Sequence, residues 1–169
     1  TENKIAFVVD GKPMGQPRPR FTSVGGFARA YTNEKAVQYK EYAQAIILQA
    51  IRANKWVVTD GPVKVEMVIY FAVPKSWPKK KTVAALDGQI LPMVKPDSDN
   101  VEKIIFDAMT GLIYLDDNQI ISNYTTKAYS DQFIDGAVCV AVSEIPNYRK
   151  QQAVKAINGG EITWTRKSM

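Results

Sequence analysis

The sequence predicts a single α+β domain over residues 1–169, a mixed β-sheet with helices packed on it. Segments with strand periodicity and segments with helix periodicity follow one another in the order βαβ(α)αββα, which favours this class. A length of 169 residues with 46% hydrophobic content is enough for one buried core. No internal repeat or linker divides the chain, so we expect one domain.

The chain begins with a short apolar strand over residues 5–9, which ends at the turn signal Asp10-Gly11. Residues 11–30 are rich in proline, glycine and arginine, a composition that opposes a helix and predicts a mobile basic loop. The prolines beside Arg18 keep the backbone extended, so the arginines can be presented without burial. We expect phosphate contacts from Arg18, Arg20 and Arg29. A solvated surface loop is the alternative.

The next segments predict a helix, a strand and a short helix. Apolar residues recur at helical spacing over residues 33–54, where Thr32 or Asn33 can cap the helix. Residues 62–73 alternate strictly between apolar and other residues and predict a strand. A short helix is predicted over residues 75–86. Its lysines are either a second phosphate-contacting patch or a solvated run: Lys79, Lys80 and Lys81.

The second half of the chain predicts a loop over residues 87–96 and a helix over residues 99–112 that ends near Gly111. Two strands follow, and the short polar segment between them predicts a β-hairpin. These strands cover residues 119–129 and 133–145. The predicted C-terminal elements are a short helix over residues 148–157 and a flexible tail, residues 159–169, that could pair, swap or fray.

The composition excludes several kinds of chemistry. The sequence has no histidine, which removes Ser-His-Asp and Cys-His nucleophiles and every histidine-metal nuclease site. With Cys139 as its single cysteine, it has no ligand set for zinc, and we expect this residue to be a buried small hydrophobe. No apolar run is long enough to cross a membrane and no secretory signal is visible. We therefore expect a cytoplasmic protein with no membrane partner and no organic cofactor.

The net charge of +5 conceals a strong asymmetry. Residues 97–117 carry six acidic residues and one lysine, a net charge of −5, whereas the rest of the chain carries 21 basic and 11 acidic residues, a net charge of +10. A basic body around one compact acidic segment suits a phosphodiester polyanion that must reach a metal centre.

Two pairs of aspartates bracket the helix predicted at residues 99–112. Asp97 and Asp99 stand at its start, and Asp116 and Asp117 follow it. Carboxylate oxygens suit Mg²⁺, a hard cation usually held by a few carboxylates, waters and substrate phosphate oxygens. Because a helix followed by a return turn can bring both pairs together, the segment predicts a magnesium site, at which we expect Mn²⁺ to substitute.

The predicted helix also presents a lysine beside the acidic residues. At about 100° per residue, Asp99, Lys103 and Asp107 share one face, and apolar residues occupy the opposite face. Lys103 could therefore reach a phosphate held at the metal. Ordinary alternatives exist for each feature: a helix cap at Asp97, a solvated turn at Asp116, and an ion pair between Asp99 and Lys103. Clustered carboxylates repel one another without a cation, which favours the metal site.

The acidic segment contains, in order, Pro96-Asp97-x-Asp99-Asn100-x-x-Lys103, Phe106-Asp107-Ala108, Gly111 and Asp116-Asp117-x-Gln119-Ile120. This pattern resembles the signature of the RusA family of Holliday junction resolvases. The N-terminal features Gly11-x-Pro13, Arg18-Pro19-Arg20-Phe21 and Tyr31-Thr32 resemble the phage-associated branch of that family.

The resemblance implies a RusA-like fold and a homodimer that binds four-way DNA junctions and nicks two opposed strands, in recombination and repair. The essential acidic residues of the family fall on Asp97, Asp99 and Asp117, and its essential lysine falls on Lys103. Asp116 lies beside them as a further metal ligand. Some members carry an arginine run before the first aspartate, where this chain has Lys95. We expect Lys95 to contact DNA. The arginines of residues 11–30 and the lysines at 79–81 are expected to replace the DNA contacts of the missing arginine run.

These observations lead to the hypothesis of Mg²⁺-dependent phosphodiester hydrolysis. A nuclease of the PD-(D/E)xK type is disfavoured, because Glu102 and Lys103 are adjacent and predicted to be helical. A non-catalytic DNA-binding module, in which the aspartates only cap and solvate, is the remaining alternative. It predicts DNA binding without metal and no cutting.

Overall fold

The strictly alternating apolar segment at residues 63–72 becomes the central strand of the protein. The computed structural model describes residues 3–18, 20–31, 33–146, 154–158 and 161–164. The elements in chain order are β1 (Lys4–Asp10), β2 (Arg20–Val24), β3 (Phe27–Tyr31), α1 (Glu34–Asn54), β4 (Val63–Ala72), α2 (Lys79–Leu86), α3 (Ser98–Met109), β5 (Ile120–Ser130), β6 (Ala137–Glu144), β7 (Val154–Asn158) and β8 (Glu161–Trp164).

One four-stranded mixed sheet organises the fold, in the order β1-β6-β4-β5. β6 is antiparallel to both β1 and β4, and β5 is parallel to β4. Alternate residues of β1, β4 and β6 are buried on the face that α1 and α3 cover. The predicted α+β class with a mixed sheet is therefore confirmed. Cys139 is half-buried on the opposite face, and burial raises the pKa of its thiol.

The helices begin and end close to where local chemistry predicts. Asn33 caps α1, because its Oδ1 accepts from the backbone N–H groups of Lys35 and Ala36 at 3.0 and 3.3 Å. α3 ends at Met109, since the next residue has extended backbone and Gly111 has a φ of +81°. In the described part of the chain, no helix has both the length and the apolar character needed to cross a membrane.

The predicted hairpin between β5 and β6 is wrong, although both strands are present. Each pairs with β4, one on either side, and not with the other. β4 pairs with both β5 and β6 because it is the central strand of the sheet. Its apolar residues alternate along its whole length, and Val65, Met67 and Ile69 are buried. The connection at residues 131–136 is long enough to pass over one strand, about 10 Å in all.

The loop predicted at residues 11–30 is wrong from residue 20 onward. β2 and β3 form an antiparallel hairpin in which Arg20 pairs with Tyr31 and Thr22 pairs with Arg29. Its turn is Gly25-Gly26, with φ values of +68° and +78°, and this conformation favours tight hairpins. The prolines that oppose a strand lie before residue 20, so they did not prevent pairing.

The helix predicted at residues 148–157 is wrong where the structure describes it, because Val154–Asn158 is β7. β7 pairs with β8 (Glu161–Trp164), which lies inside the tail predicted to be flexible. β-branched and aromatic residues on both sides of the glycines at 159 and 160 favour this hairpin over a helix. The remaining predicted helical residues, 148–153, lie outside the described part of the chain.

Gly136 is required where the β5–β6 connection meets β4. It has a φ of +92°, and a Cβ there would lie 2.4 Å from the carbonyl oxygen of Tyr70. Gly136→Ala should therefore lower the free energy of unfolding by about 3 kcal/mol or more, because it combines backbone strain with a contact against rigid backbone.

A matched control is Gly88→Ala, since Gly88 has a φ of +78° and nothing within 4 Å of an added Cβ. Backbone strain alone should cost this variant about 1–2 kcal/mol. Urea unfolding followed by circular dichroism measures both values. Equal losses in the two variants would contradict the contact with Tyr70.

Candidate active site

The start of α3 carries two carboxylates that the surrounding protein does not use. Asp97 is the N-cap residue of α3, yet its side chain makes no capping hydrogen bond. Asp99 follows in the first turn, and both side chains are exposed. Among the described residues, neither carboxylate has a hydrogen-bond or ion-pair partner. A capping aspartate normally stabilises a helix by about 1 kcal/mol through a hydrogen bond from its side chain to the first turn. Because Asp97 makes no such hydrogen bond, the capping explanation does not hold for this residue.

Lys103 lies one helical turn after Asp99 and is exposed. The ion pairs between described residues join Glu66 to Lys4 and to Lys64, so Lys103 and Asp99 do not form the ion pair considered above. An ammonium group beside unpaired carboxylates is placed to meet an incoming anion. Phosphate oxygens are such an anion.

The charges of Asp107, Asp116 and Asp117 act on Tyr114, a residue that sequence reasoning missed. The Tyr114 side chain is fully buried, and its hydroxyl donates to the carbonyl oxygen of Phe106 at 2.9 Å. Burial is the main cause that raises the pKa of Tyr114, and the charges of the three aspartates raise it further, against a hydrogen bond with Thr110 that lowers it. These aspartates therefore lie near the second half of α3.

The two aspartates of the second pair have different roles. Asp116 caps the short 3₁₀ turn at Asp117–Gln119, since its Oδ1 accepts from the backbone N–H of Asn118 at 2.8 Å. Asp117 is exposed and has no such partner among the described residues. The Asp116 Oδ1 thus serves the fold of the turn, whereas the whole Asp117 carboxylate is available to a ligand. The assignment of Asp116 as a further metal ligand stays a prediction.

Gln119 fixes this turn to the segment that leads into β4. Its Oε1 accepts from the backbone N–H groups of Leu115 and Asp116, both at 2.9 Å. Its Nε2 donates to the carbonyl oxygens of Thr59 and Gly61, at 2.8 and 2.9 Å. Both donors and both acceptor positions of the amide are therefore satisfied. The Asp-x-x-Gln spacing of a capping box was the sequence signal for this role.

The structure places the two acidic pairs at different points along α3. Helical rise puts Asp107 about 12 Å along the axis from Asp99, and Asp117 lies on the Asp107 side. Within the described ranges, no group of three acidic, cysteine or histidine side chains is close enough to hold a metal ion. The donor chemistry nevertheless fits Mg²⁺, which commonly takes one or two carboxylates and completes its shell with water and substrate phosphate.

The segment that contains Arg18 is attached directly to the start of α3. The backbone N–H of Gln16 donates to the carbonyl oxygen of Asn100 at 2.9 Å. A Cβ on Gly15 would lie 2.9 Å from that of Asn100 and 3.1 Å from that of Pro96. Arg18 is exposed two residues later. The basic segment that contains Arg18 therefore starts beside the first acidic pair.

Two further basic groups lie in the segment before α3. The first turn of α2 carries Lys79, Lys80 and Lys81, all exposed, and no side chain caps it. Cations at a helix N-terminus oppose the helix dipole, so this arrangement favours a bound anion. Lys81 also packs on Trp77, with Nζ 3.9 Å from the ring centroid. Lys95 is exposed two residues before Asp97.

A sequence model of the endodeoxyribonuclease RusA family matches residues 10–157, which include every candidate site residue. The chain belongs to the RusA endodeoxyribonuclease family. It is also 35% identical over 130 residues to the uncharacterized protein YqaN of Bacillus subtilis (strain 168), a match that covers 76% of this chain and 89% of the relative. RusA membership confirms the resemblance drawn from the acidic segment and makes the protein a DNA endonuclease by family. The phage-associated branch stays a prediction.

Gln119→Glu should destabilise this RusA protein, because a carboxylate would face the carbonyl oxygens of Thr59 and Gly61 in place of two donors. We expect the free energy of unfolding to fall by about 2–4 kcal/mol at neutral pH. Gln38→Glu, at an exposed position of α1, is the matched control and should change it by less than about 0.5 kcal/mol. Denaturant unfolding measures both, and an unchanged Gln119→Glu midpoint would contradict the anchoring role.

Proposed function

We propose that the protein is a Mg²⁺-dependent endonuclease that, as a homodimer, resolves four-way DNA junctions by nicking two opposed strands. The observation that carries the proposal is the start of α3, where Asp97 and Asp99 have no partner among the described residues beside an unpaired Lys103. Membership of the RusA family supports cleavage of DNA. Unpaired charges kept together in this way are typical of functional sites, because a purely structural role would use them in caps or ion pairs.

Asp97 and Asp99 would hold one Mg²⁺ ion at the start of α3 and Asp117 would hold a second, because no three acidic side chains among the described residues are close enough to share one ion. When bound, Mg²⁺ would act as a Lewis acid that lowers the pKa of its bound water and stabilises negative charge on phosphate oxygens. Lys103 donates hydrogen bonds to the phosphate oxygens and stabilises the negative charge that develops on them. Asp116 and Gln119 hold the turn that carries Asp117. The Asp116 Oδ1 accepts from the backbone N–H of Asn118 at 2.8 Å, and the Gln119 Oε1 accepts from the backbone N–H of Asp116 at 2.9 Å. Their contribution is to position a ligand and not to react.

The basic residues would hold the DNA backbone on both sides of the acidic segment. The segment with Arg18 is hydrogen-bonded to the start of α3 through Gln16, and Lys95 and the first turn of α2 precede α3 along the chain. The excess of positive charge outside residues 97–117 attracts DNA as a whole, and a bound cation would neutralise the local negative charge where the phosphate to be cleaved meets the acidic residues.

One observation favours a second candidate, a DNA-binding module without catalysis. The described residues contain no three-carboxylate group that could hold a metal on its own. In that case the aspartates would serve only the fold, and DNA binding would be the same with and without a divalent cation. Asp97 argues for the first candidate, since it occupies a cap position without capping.

An end-labelled four-way junction and a matched linear duplex, each with Mg²⁺ or with EDTA, distinguish these candidates. Paired nicks near the crossover, only on the junction and only with Mg²⁺, would establish the resolvase. Tight junction binding without cutting would establish the binding module. Equal cutting of the duplex would overturn junction selectivity and leave a general nuclease.

Asp99→Asn should reduce junction cleavage by more than about 100-fold, since even indirect partners of metal ligands contribute about 10–100-fold. Junction binding in EDTA should be retained or improved, because the variant loses a negative charge near phosphate. Asp131→Asn, an exposed aspartate in the β5–β6 connection, is the control and should cleave normally. Normal cleavage by Asp99→Asn would contradict the assignment of Asp99 as a metal ligand.

The neighbouring aspartates should respond differently to the same substitution. Asparagine caps a helix as well as aspartate does, so Asp116→Asn should cleave within about fivefold of the unmodified protein, or about 1 kcal/mol. Asp117→Asn should lose more than about 100-fold. Single-turnover cleavage at saturating protein measures both. Equal and large losses would show that Asp116 is a ligand as well as a cap.

A further inference from the structure

Three apolar side chains project into solvent immediately before the first acidic pair. Met93 is 96% exposed, Leu91 is 58% exposed and Val94 is 48% exposed. Single exposed apolar residues are ordinary on protein surfaces, but three within four consecutive residues form a patch. We call residues 91–94 the apolar loop.

The apolar loop is held in place at both ends. Before it, the backbone N–H of Ile90 donates to the carbonyl oxygen of Ala84 at 3.3 Å. Within it, Pro92 is buried and the N–H of Met93 donates to the carbonyl oxygen of Leu91 at 3.0 Å. At its end, Lys127 of β5 donates to the carbonyl oxygen of Val94 at 2.5 Å. The exposed side chains therefore stand on an anchored backbone, and a partner would not have to order it first.

The surroundings of the apolar loop are those of a nucleic-acid surface. Exposed Lys95 follows Val94 directly, and Asp97 lies two residues further on. The second acidic pair is likewise preceded by an exposed apolar residue, Leu115, which is 58% exposed. Apolar side chains beside a phosphate-binding cation are placed to meet bases whose backbone the cation holds.

We propose that the apolar loop is a wedge that packs against the unstacked base faces at the branch point of junction DNA. The inference rests on the proposed function, which supplies a branched DNA substrate. Bases at a branch lack a stacking neighbour on one side, so an apolar side chain can cover them without breaking a base step. In continuous duplex the same insertion requires unstacking, which costs a few kcal/mol per step in general. The wedge therefore selects branched DNA over duplex.

A second protein copy is a poorer fit to the same patch. A stable dimer buries about 800 Å² on each partner, with a core of several aromatic or large apolar residues. The three side chains of the apolar loop by themselves supply a small part of that area, and the adjacent exposed residues Lys95 and Asp97 are charged, whereas charged residues are depleted at interface cores. The DNA branch needs no larger surface than the loop provides.

The test uses a four-way junction that carries 2-aminopurine at the branch, a base analogue that fluoresces strongly when it is unstacked. Full-length protein is added in EDTA, so binding is read without cleavage. The unmodified protein should change the fluorescence at the branch and leave unchanged a probe placed inside one arm. Met93→Ser should remove most of that change and lower the ratio of junction to duplex affinity about 10-fold.

Ile134→Ser is the matched control, because Ile134 is 91% exposed on the β5–β6 connection. It should behave as the unmodified protein does, and both variants should keep their unfolding midpoints because both side chains are exposed. Retained fluorescence change and selectivity in Met93→Ser would overturn the wedge. So would a shift from dimer to monomer in that variant by sedimentation without any effect on the branch probe, since the loop would then join two copies.

The wedge and the proposed function fail in different ways. If the unmodified protein cuts junctions with Mg²⁺ but Met93→Ser is as selective as Ile134→Ser, the wedge alone is overturned. If the unmodified protein neither cuts nor prefers junctions, the proposed function is overturned, and the wedge with it. A loss of selectivity in Met93→Ser with cleavage chemistry retained on a bound junction supports both.

Discussion

The parallel pairing of β4 with β5 is the constraint on which the rest of the structure depends. Two parallel neighbours cannot be joined by a tight turn, so the chain needs a long crossover between them. That crossover is residues 73–119, and it contains α2, the apolar loop, α3 and both acidic pairs. The sheet thus holds both ends of the segment that carries the candidate site, while the opposite pairing of β6 closes the other side of β4.

Local patterns predicted the elements well and their partners poorly. The alternation of β4, the amphipathic face of α3 and the cap at Asn33 depend on neighbours in sequence, and the structure has all three. The pairing of β5 and β6 depends on which strand competes best for a neighbour, and the periodicity of either strand does not contain that information. The β2–β3 hairpin differs from the predicted loop for another reason: the prolines end before residue 20, and the Gly25-Gly26 turn sets the pairing after them.

Residue type identified the acidic candidates, but their roles depend on hydrogen bonds that sequence does not show. Asp97 and Asp116 both occupy cap positions, and only Asp116 caps. Gln119 was visible as part of the family pattern, whereas its four hydrogen bonds to residues 59–61 and 115–116 required the fold. Tyr114 was invisible because a buried tyrosine is ordinary in a core until its neighbours are known.

The crossover has two parts that tolerate substitution differently: the exposed side chains of residues 79–95 and the hydrogen-bonded turn at residues 114–119. The side chains of Tyr114, Asp116 and Gln119 are hydrogen-bonded to backbone groups, so changes at Tyr114 or Gln119 disturb the fold of the turn. The exposed side chains between residues 79 and 95 make few contacts with the rest of the chain, so they can vary with little effect on folding. Under the proposed function, a combinatorial library confined to those exposed positions would change how the protein contacts nucleic acid and leave the folded scaffold unchanged.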